Sequence, residues 1–225
     1  MDQSFVETLK LTFEISLVTT AILFFLSIPL AYYLAYSKAR FKHLIETLVS
    51  LPLVLPPSVL GFYLLLVYSP AHLPGSYIQN GLGIQLAFSF LGIVIGSVLF
   101  SLPFMVSPIQ AAFESLPVSL KEASYSLGKS GTYTLIRVLL PNIRPALMKA
   151  LVLTFAHTIG EFGVVLMIGG NIPGKTRVAS IAIYDEVQSL NFGVAHQYAL
   201  VLVSISFVIL LTIHALNRKT NKHML

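Results

Sequence analysis

The 225-residue chain has no cysteine and no tryptophan, and only 10% of its residues are charged. A soluble domain carries about 25% charged residues, so this composition excludes an ordinary water-soluble enzyme. Without cysteine there can be no disulfide, no thiolate chemistry and no cysteine-based metal or iron–sulfur site. Acid is scarcer than base, with 9 Asp and Glu against 14 Lys and Arg. The resulting net charge of +5 does not point to nucleic acid, because the basic residues are scattered between apolar runs where a nucleic-acid reader gathers them on one face. What is abundant is apolar side chain, 56% of the chain. The length suits one integral membrane domain, with no linker, internal repeat or soluble catalytic domain beside it.

A span needs about 20 mostly apolar residues. No formal charge falls between Glu14 and Lys38, which marks residues 15–37 as the first span. The acidic start before it lacks the basic region and cleavage site of a signal peptide and is expected to be retained. From Thr47 to Phe113 there is no charged residue. Turn-rich segments at Ser69–Gly75 and Gln79–Gly83 divide that run, giving expected spans at 48–68 and 84–107. Two more are expected at 146–168 and 198–216, five in all. Lys38, Arg40 and Lys42 follow the first span, Lys121, Lys129, Arg137, Arg144 and Lys149 lie between the third and fourth, and Arg218, Lys219 and Lys222 follow the fifth. These alternate loops hold 11 of the 14 basic residues, which predicts an extracytoplasmic N-terminus and a cytoplasmic C-terminus.

Between the third and fourth spans, Pro117 suits a first helical turn and Gly128 a C-terminal cap. Leu116, Leu120, Ala123 and Leu127 recur at helical spacing, so a short amphipathic helix offers an apolar face outside the bilayer. Such a face packs on the protein's own spans, lies in the headgroups or meets a partner. The wording of the segment bears on the choice. Glu122-Ala123-Ser124, then Gly128, then Val138-Leu139-Leu140-Pro141 resembles the EAA motif of the membrane subunits of ATP-binding-cassette importers, with Ser124 for the second alanine and Val138 for isoleucine. The resemblance extends through Ser50–Val59 and Gly160-Glu161-Phe162-Gly163. The latter looks like the members that import tetrahedral oxyanions, and Asn171–Arg177 with Ser180–Asp185 is most similar to the molybdate and tungstate group.

That resemblance implies an all-α, type I permease fold in a bacterial or archaeal inner membrane, with a coupling segment at about 115–141. Leu120, Glu122, Ala123, Ser124 and Gly128 would then meet cytoplasmic ATPase subunits. The implied partners are those subunits, an extracytoplasmic molybdate-binding protein, a second permease copy and the lipid bilayer. No cofactor is implied for this chain.

Gly169–Thr176 satisfies G-x-x-x-x-G-K-[ST] letter for letter, but a phosphate-binding loop requires a strand before it and a soluble α/β domain around it. Following an apolar span, it reads as a decoy. Asn171, Gly174, Lys175 and Arg177 could instead meet an anion or the binding protein, or form a plain solvated turn. Glu161 lies 12 residues beyond Lys149, about 18 Å along a helix, and so inside the membrane, where an ionisable residue is a functional candidate by default. Thr154, His157, Thr158 and Glu161 share one helical face, suited either to lining a path or to structural hydrogen bonding. Pro56 and Pro57, with Pro52, should kink or unwind the second span, as a static bend or a hinge. Tyr32, Tyr33 and Tyr36 are expected as interface anchors. The histidines show no metal-ligand clustering. A sulfate permease, an ion-coupled carrier or a membrane scaffold stand as the other readings.

Overall fold

The computed structural model describes residues 3–221, with side chains to residue 211. Lys222, counted above among the C-terminal bases, lies outside the described residues. Every regular element among the described residues is helical. In chain order these are α1 (Gln3–Tyr36), α2 (Lys42–Ser50), α3 (Pro57–Tyr68), α4 (Gly75–Leu82), α5 (Phe90–Glu114), α6 (Val118–Ser126), α7 (Gly131–Thr134), α8 (Leu140–Asn142), α9 (Arg144–Ile159), α10 (Gly163–Gly169), α11 (Ala179–Gln188) and α12 (Phe192–Asn221). α1, α5 and α12 are each long and apolar enough to cross a membrane. Two further crossings are made if bent pairs count as one span each, residues 42–54 with α3, bent by 113°, and residues 131–142 with α9, bent by 77°.

Several boundaries differ from the sequence expectation for local reasons. α1 begins at Gln3 and not near residue 15, because its first turns have partners: Phe5 stacks on Tyr198 at 4.4 Å, and Thr12 accepts a 2.9 Å hydrogen bond from the Ala179 amide. The second expected span is two helices, broken where Pro52 sits in a tight turn and Pro56 and Pro57 start α3. The third starts at Phe90, capped by the Ser89 hydroxyl, and runs on to Glu114. Residues 84–89 are not helical, since Leu86 and Ala87 are buried in the core and the Phe88 amide donates to the Ile168 carbonyl. The fourth is also broken, because α9 stops at Ile159. α4 and α11 occupy segments read as loops.

The packing is that of a membrane protein. The buried stripe of α1 includes Thr8, Thr12, Ser16, Thr19, Thr20 and Ser27, while Leu17, Ile22, Phe25 and Leu26 face outward. Small and hydroxylated side chains let helices approach closely where apolar contact with lipid supplies no contrast. α12 likewise exposes Leu200, Val203, Phe207 and Leu211.

The core falls into two main clusters, one joining Leu11 and Ile15 to Tyr68, Ile93, Val164 and Ile168, the other joining Leu23 and Leu34 to Met105, Phe113, Ile143 and Leu147. α1 and α5 therefore run parallel and finish together, with Tyr36 donating to the Phe113 carbonyl at 2.9 Å. α9 runs against them. At the shared end of α1 and α5 lie α2, α6 and the basic residues Lys42 and Lys121, and Lys42 pairs with Glu46 at 3.6 Å and reaches Glu114 at 4.0 Å. The opposite end gathers the start of α1, the end of α10, α11 and the start of α12.

Candidate functional site

α6 is a short exposed helix at the basic end. Its start differs from the sequence expectation, with Pro117 standing just before the helix in extended backbone (ψ 132°) and Val118 as the first helical residue. Its end is a left-handed turn in which Gly128 takes φ +69°, and the Lys129 amide donates back to the Ser124 carbonyl at 3.1 Å. The apolar stripe read from the sequence divides. Leu116 and Leu120 are half-buried, Leu116 against the α1–α5 cluster. Ala123 and Leu127 face outward, Leu127 with 75% of its surface exposed and Val118 with 66%. Glu122 is exposed as well. Ser124 is not on the outer face, because it is buried and shares a 2.8 Å hydrogen bond with the Thr134 hydroxyl, which fixes α6 to α7. The Ser130 hydroxyl caps α7 at the Tyr133 amide. Residues 135–139 then form one wide π turn before α8.

The expected polar face of the fourth span is assembled only in part. Thr154 and Thr158 are buried on α9, and His157 is partly buried there. Ser101 of α5 lies 3.2 Å from His157 Nδ1 and 3.1 Å from the Thr158 hydroxyl, and the imidazole stacks on Phe104 at 3.8 Å. Glu161 is not on that face. It stands in the break between α9 and α10, off the helical face it was expected to share with His157. The break is held from outside by Ser180 of α11, whose hydroxyl donates to the Glu161 carbonyl at 2.6 Å. The Glu161 side chain is 4% exposed, with both carboxyl oxygens buried beside the Ser97 hydroxyl. A recess of 640 Å³ opens beside it, lined by Pro57, Ser58, Phe100, His157 and Phe162 among others. Pro57 belongs to this wall and Pro56 directly precedes it. At Gly163 a Cβ would stand 2.7 Å from that of Pro57, so glycine is what lets α10 close onto α3.

The loop after α10 is stitched to itself. The Thr176 hydroxyl donates to the Gly169 carbonyl at 2.6 Å and accepts from the Ile172 amide at 2.9 Å. Fully buried and tied to the backbone on both sides, the Thr176 hydroxyl is not presented to a nucleotide's metal ion, which removes the phosphate-loop reading on structural grounds. Gly174 and Lys175 are exposed, and Asn171 is half-buried with φ +58°. Arg177 is not an open anion site, because its guanidinium pairs with Asp185 at 2.9 Å and Glu186 at 3.3 Å.

Sequence reasoning missed Ser101 and Phe104 as the partners of His157. It also missed that Tyr32 and Tyr36, expected as interface anchors, pack on Phe113, Tyr32 edge to face at 5.7 Å. Lys121 lies over both rings. The spacing of Tyr32 and Tyr36, four residues apart on one helix, was the available signal.

Comparison with known proteins bears on the whole chain. Residues 27–222 match the family described as binding-protein-dependent transport system inner membrane component. The molybdenum transport system permease protein ModB of Azotobacter vinelandii is 43% identical over 211 residues, 93% of each chain. A probable sulfate transport system permease protein of Nephroselmis olivacea is 35% identical over 79% of this chain and 63% of its own length. Among solved structures, a bacterial ABC transporter that imports alginate superimposes with a TM-score of 0.81 at 18% identity, over 97% of this chain and 80% of that one. The MetNI methionine transporter in an inward-facing form gives 0.73 at 17% identity, over 97% and 99%. Those two likenesses speak for the fold, and the first two matches for descent. The chain therefore belongs to the family of binding-protein-dependent transport system inner membrane components, as a multi-pass transport subunit and not an enzyme.

Proposed function

We propose that this chain is the permease of an ATP-driven importer for a tetrahedral oxyanion, molybdate or tungstate, and that two identical copies enclose the path. The observation that carries the reading is α6. A helix with exposed Val118, Glu122, Ala123 and Leu127, braced from behind by the Ser124–Thr134 bond and turned by Gly128, is a rigid knob with an apolar surface outside the membrane body. Exposed apolar surface of that kind marks a protein contact. A cytoplasmic ATPase subunit is the partner it suits, with the basic end in the cytoplasm by the charge rule. The opposite end, with its exposed Leu73, Tyr77, Leu82 and Lys175, then faces an extracytoplasmic binding protein.

In this scheme ATP closes the ATPase pair, the two α6 helices follow, and the path turns outward; hydrolysis resets it. Two segments are built to bend: the break at Pro52–Pro57 and the break at Gly160–Phe162, which touch each other through Pro57 and Gly163. The recess they border is the candidate path. Glu161 does not serve as an oxyanion ligand, since a carboxylate repels a dianion; it belongs to the hinge or gate. The substrate class rests on the likeness to the Azotobacter vinelandii permease, with the Asn171–Arg177 wording in support.

The test is uptake by the full assembly in proteoliposomes, with molybdate, tungstate and sulfate in competition. Molybdate and tungstate should exclude each other, and sulfate should compete weakly. Sulfate uptake that molybdate cannot inhibit would overturn the substrate assignment.

A further inference from the structure

α6 is joined to α7 through the chain and through the Ser124–Thr134 bond, and to the long helices through two of its side chains, the Tyr125 hydroxyl and the cationic Lys121. Lys121 Nζ stands 4.2 Å from the centre of the Tyr36 ring, 5.3 Å from that of Tyr32 and 5.9 Å from that of Tyr125. All three lie within the roughly 6 Å reach of a cation–π contact. No carboxylate among the described residues pairs with Lys121, and the nearby ion pairs use Lys42. The rings are themselves fixed. Tyr36 donates to the Phe113 carbonyl at 2.9 Å, at the last turn of α5, and Tyr32 meets the Phe113 ring edge to face. The Tyr125 hydroxyl is hydrogen-bonded to that of Tyr32, which together with burial holds it above its ordinary range. The ammonium group therefore sits where α1 and α5 end side by side.

We propose that Lys121 is a positioning residue, a cationic strut that ties the coupling helix to the ends of α1 and α5, so that a displacement of α6 reaches both long helices directly. The proposal rests on reading α6 as the ATPase-docking helix. A cation over several π faces suits a moving joint, because the attraction depends weakly on angle and survives sliding from one ring to the next. A carboxylate partner would hold one geometry and release it abruptly.

The experiment uses the full chain with its ATPase subunits and binding protein in proteoliposomes. Lys121→Met keeps the stem and removes the charge; Lys121→Arg keeps the charge. ATPase subunits should co-purify with both. Molybdate moved per ATP hydrolysed should fall about 3- to 10-fold in Lys121→Met, the range a lost cation–π contact of this burial allows, and stay within about 2-fold in Lys121→Arg. Because the chain has no native cysteine, spin labels at Ser37→Cys and Ser126→Cys give a second readout. Their distance distribution should broaden with Lys121→Met and recover with Lys121→Arg. A wild-type ratio and distribution in Lys121→Met, or equal losses in both variants, would overturn the strut. Failure of the unsubstituted chain to co-purify with ATPase subunits would sink the docking reading and the strut with it.

Discussion

At Gly128 the space around the missing side chain is open, with no atom within 4 Å of where a Cβ would stand. Steric room is therefore not what glycine supplies there; the left-handed backbone is, and a β-branched residue in that region costs about 1–2 kcal/mol. Gly128→Val should insert and fold, since nothing in the membrane body touches it. The turn after α6 would instead relax and mis-aim the exposed face, so ATP hydrolysis should continue while uptake falls about tenfold, the equivalent of roughly 1.4 kcal/mol. Uptake at the normal rate by Gly128→Val and by Glu122→Ala would refute a lever role for the segment. Glu161 shows where residue-scale reading from sequence stops. Counting from Lys149 put it at membrane depth, but the helix was assumed to continue, and Gly160 ends it one residue earlier. Burial at that position follows from the fold around the break, through Ser180 and Pro57, which no local spacing encodes.

The elements were legible wherever an uninterrupted apolar run met a charged boundary. α1, α5 and α12 were found on that basis, and their ends shifted where tertiary partners such as Tyr198, Ala179 and Leu86 extended or delayed a helix. The broken elements were legible only as proline and glycine. Pro52, Pro56 and Pro57 announced a bend but not its 113°, because the angle is set by α3 packing on α10. Orientation is an element-scale claim and is testable with single cysteines in this cysteine-free chain. Cysteines replacing Lys42, Ser130 and Asn221 should be labelled by an impermeant thiol reagent from the cytoplasmic side alone. Those replacing Ser76 and Lys175 should be labelled from outside. The structure sharpens the choice of sites, since Ser130 is exposed beside α6 and Lys175 is exposed at the far end, whereas Asn171 is half-buried and a poorer reporter. Inverted labelling at Ser76 and Ser130 would end both the orientation and the assignment of α6 to the ATPase.

For the whole molecule, the question is where an oxyanion is selected. Molybdate, tungstate and sulfate are tetrahedral dianions, and separating them requires donors placed closely around one size of ion. The described residues offer no such cage: the recess is lined mainly by proline, aromatic and glycine residues, and its ionisable members are His157 and Glu161. Of the two cations in the outer loop, Arg177 is neutralised by Asp185 and Glu186, and Lys175 stands exposed at the surface. A path of this kind passes what it is given. We propose that selection belongs to the binding protein, and that this chain meets that protein's surface through the exposed segments near Leu73–Leu82 and Pro173–Lys175. Omitting the binding protein from the proteoliposome assembly should abolish uptake of all three anions. Widening its oxyanion pocket to accept sulfate, with its outer surface unchanged, should make the unaltered permease carry sulfate at a rate within about threefold of molybdate, a difference under 1 kcal/mol. If the permease still refused sulfate delivered in that way, a selective site would have to lie within this chain, and the Ser101, His157 and Thr158 cluster beside the recess would be the first place to look.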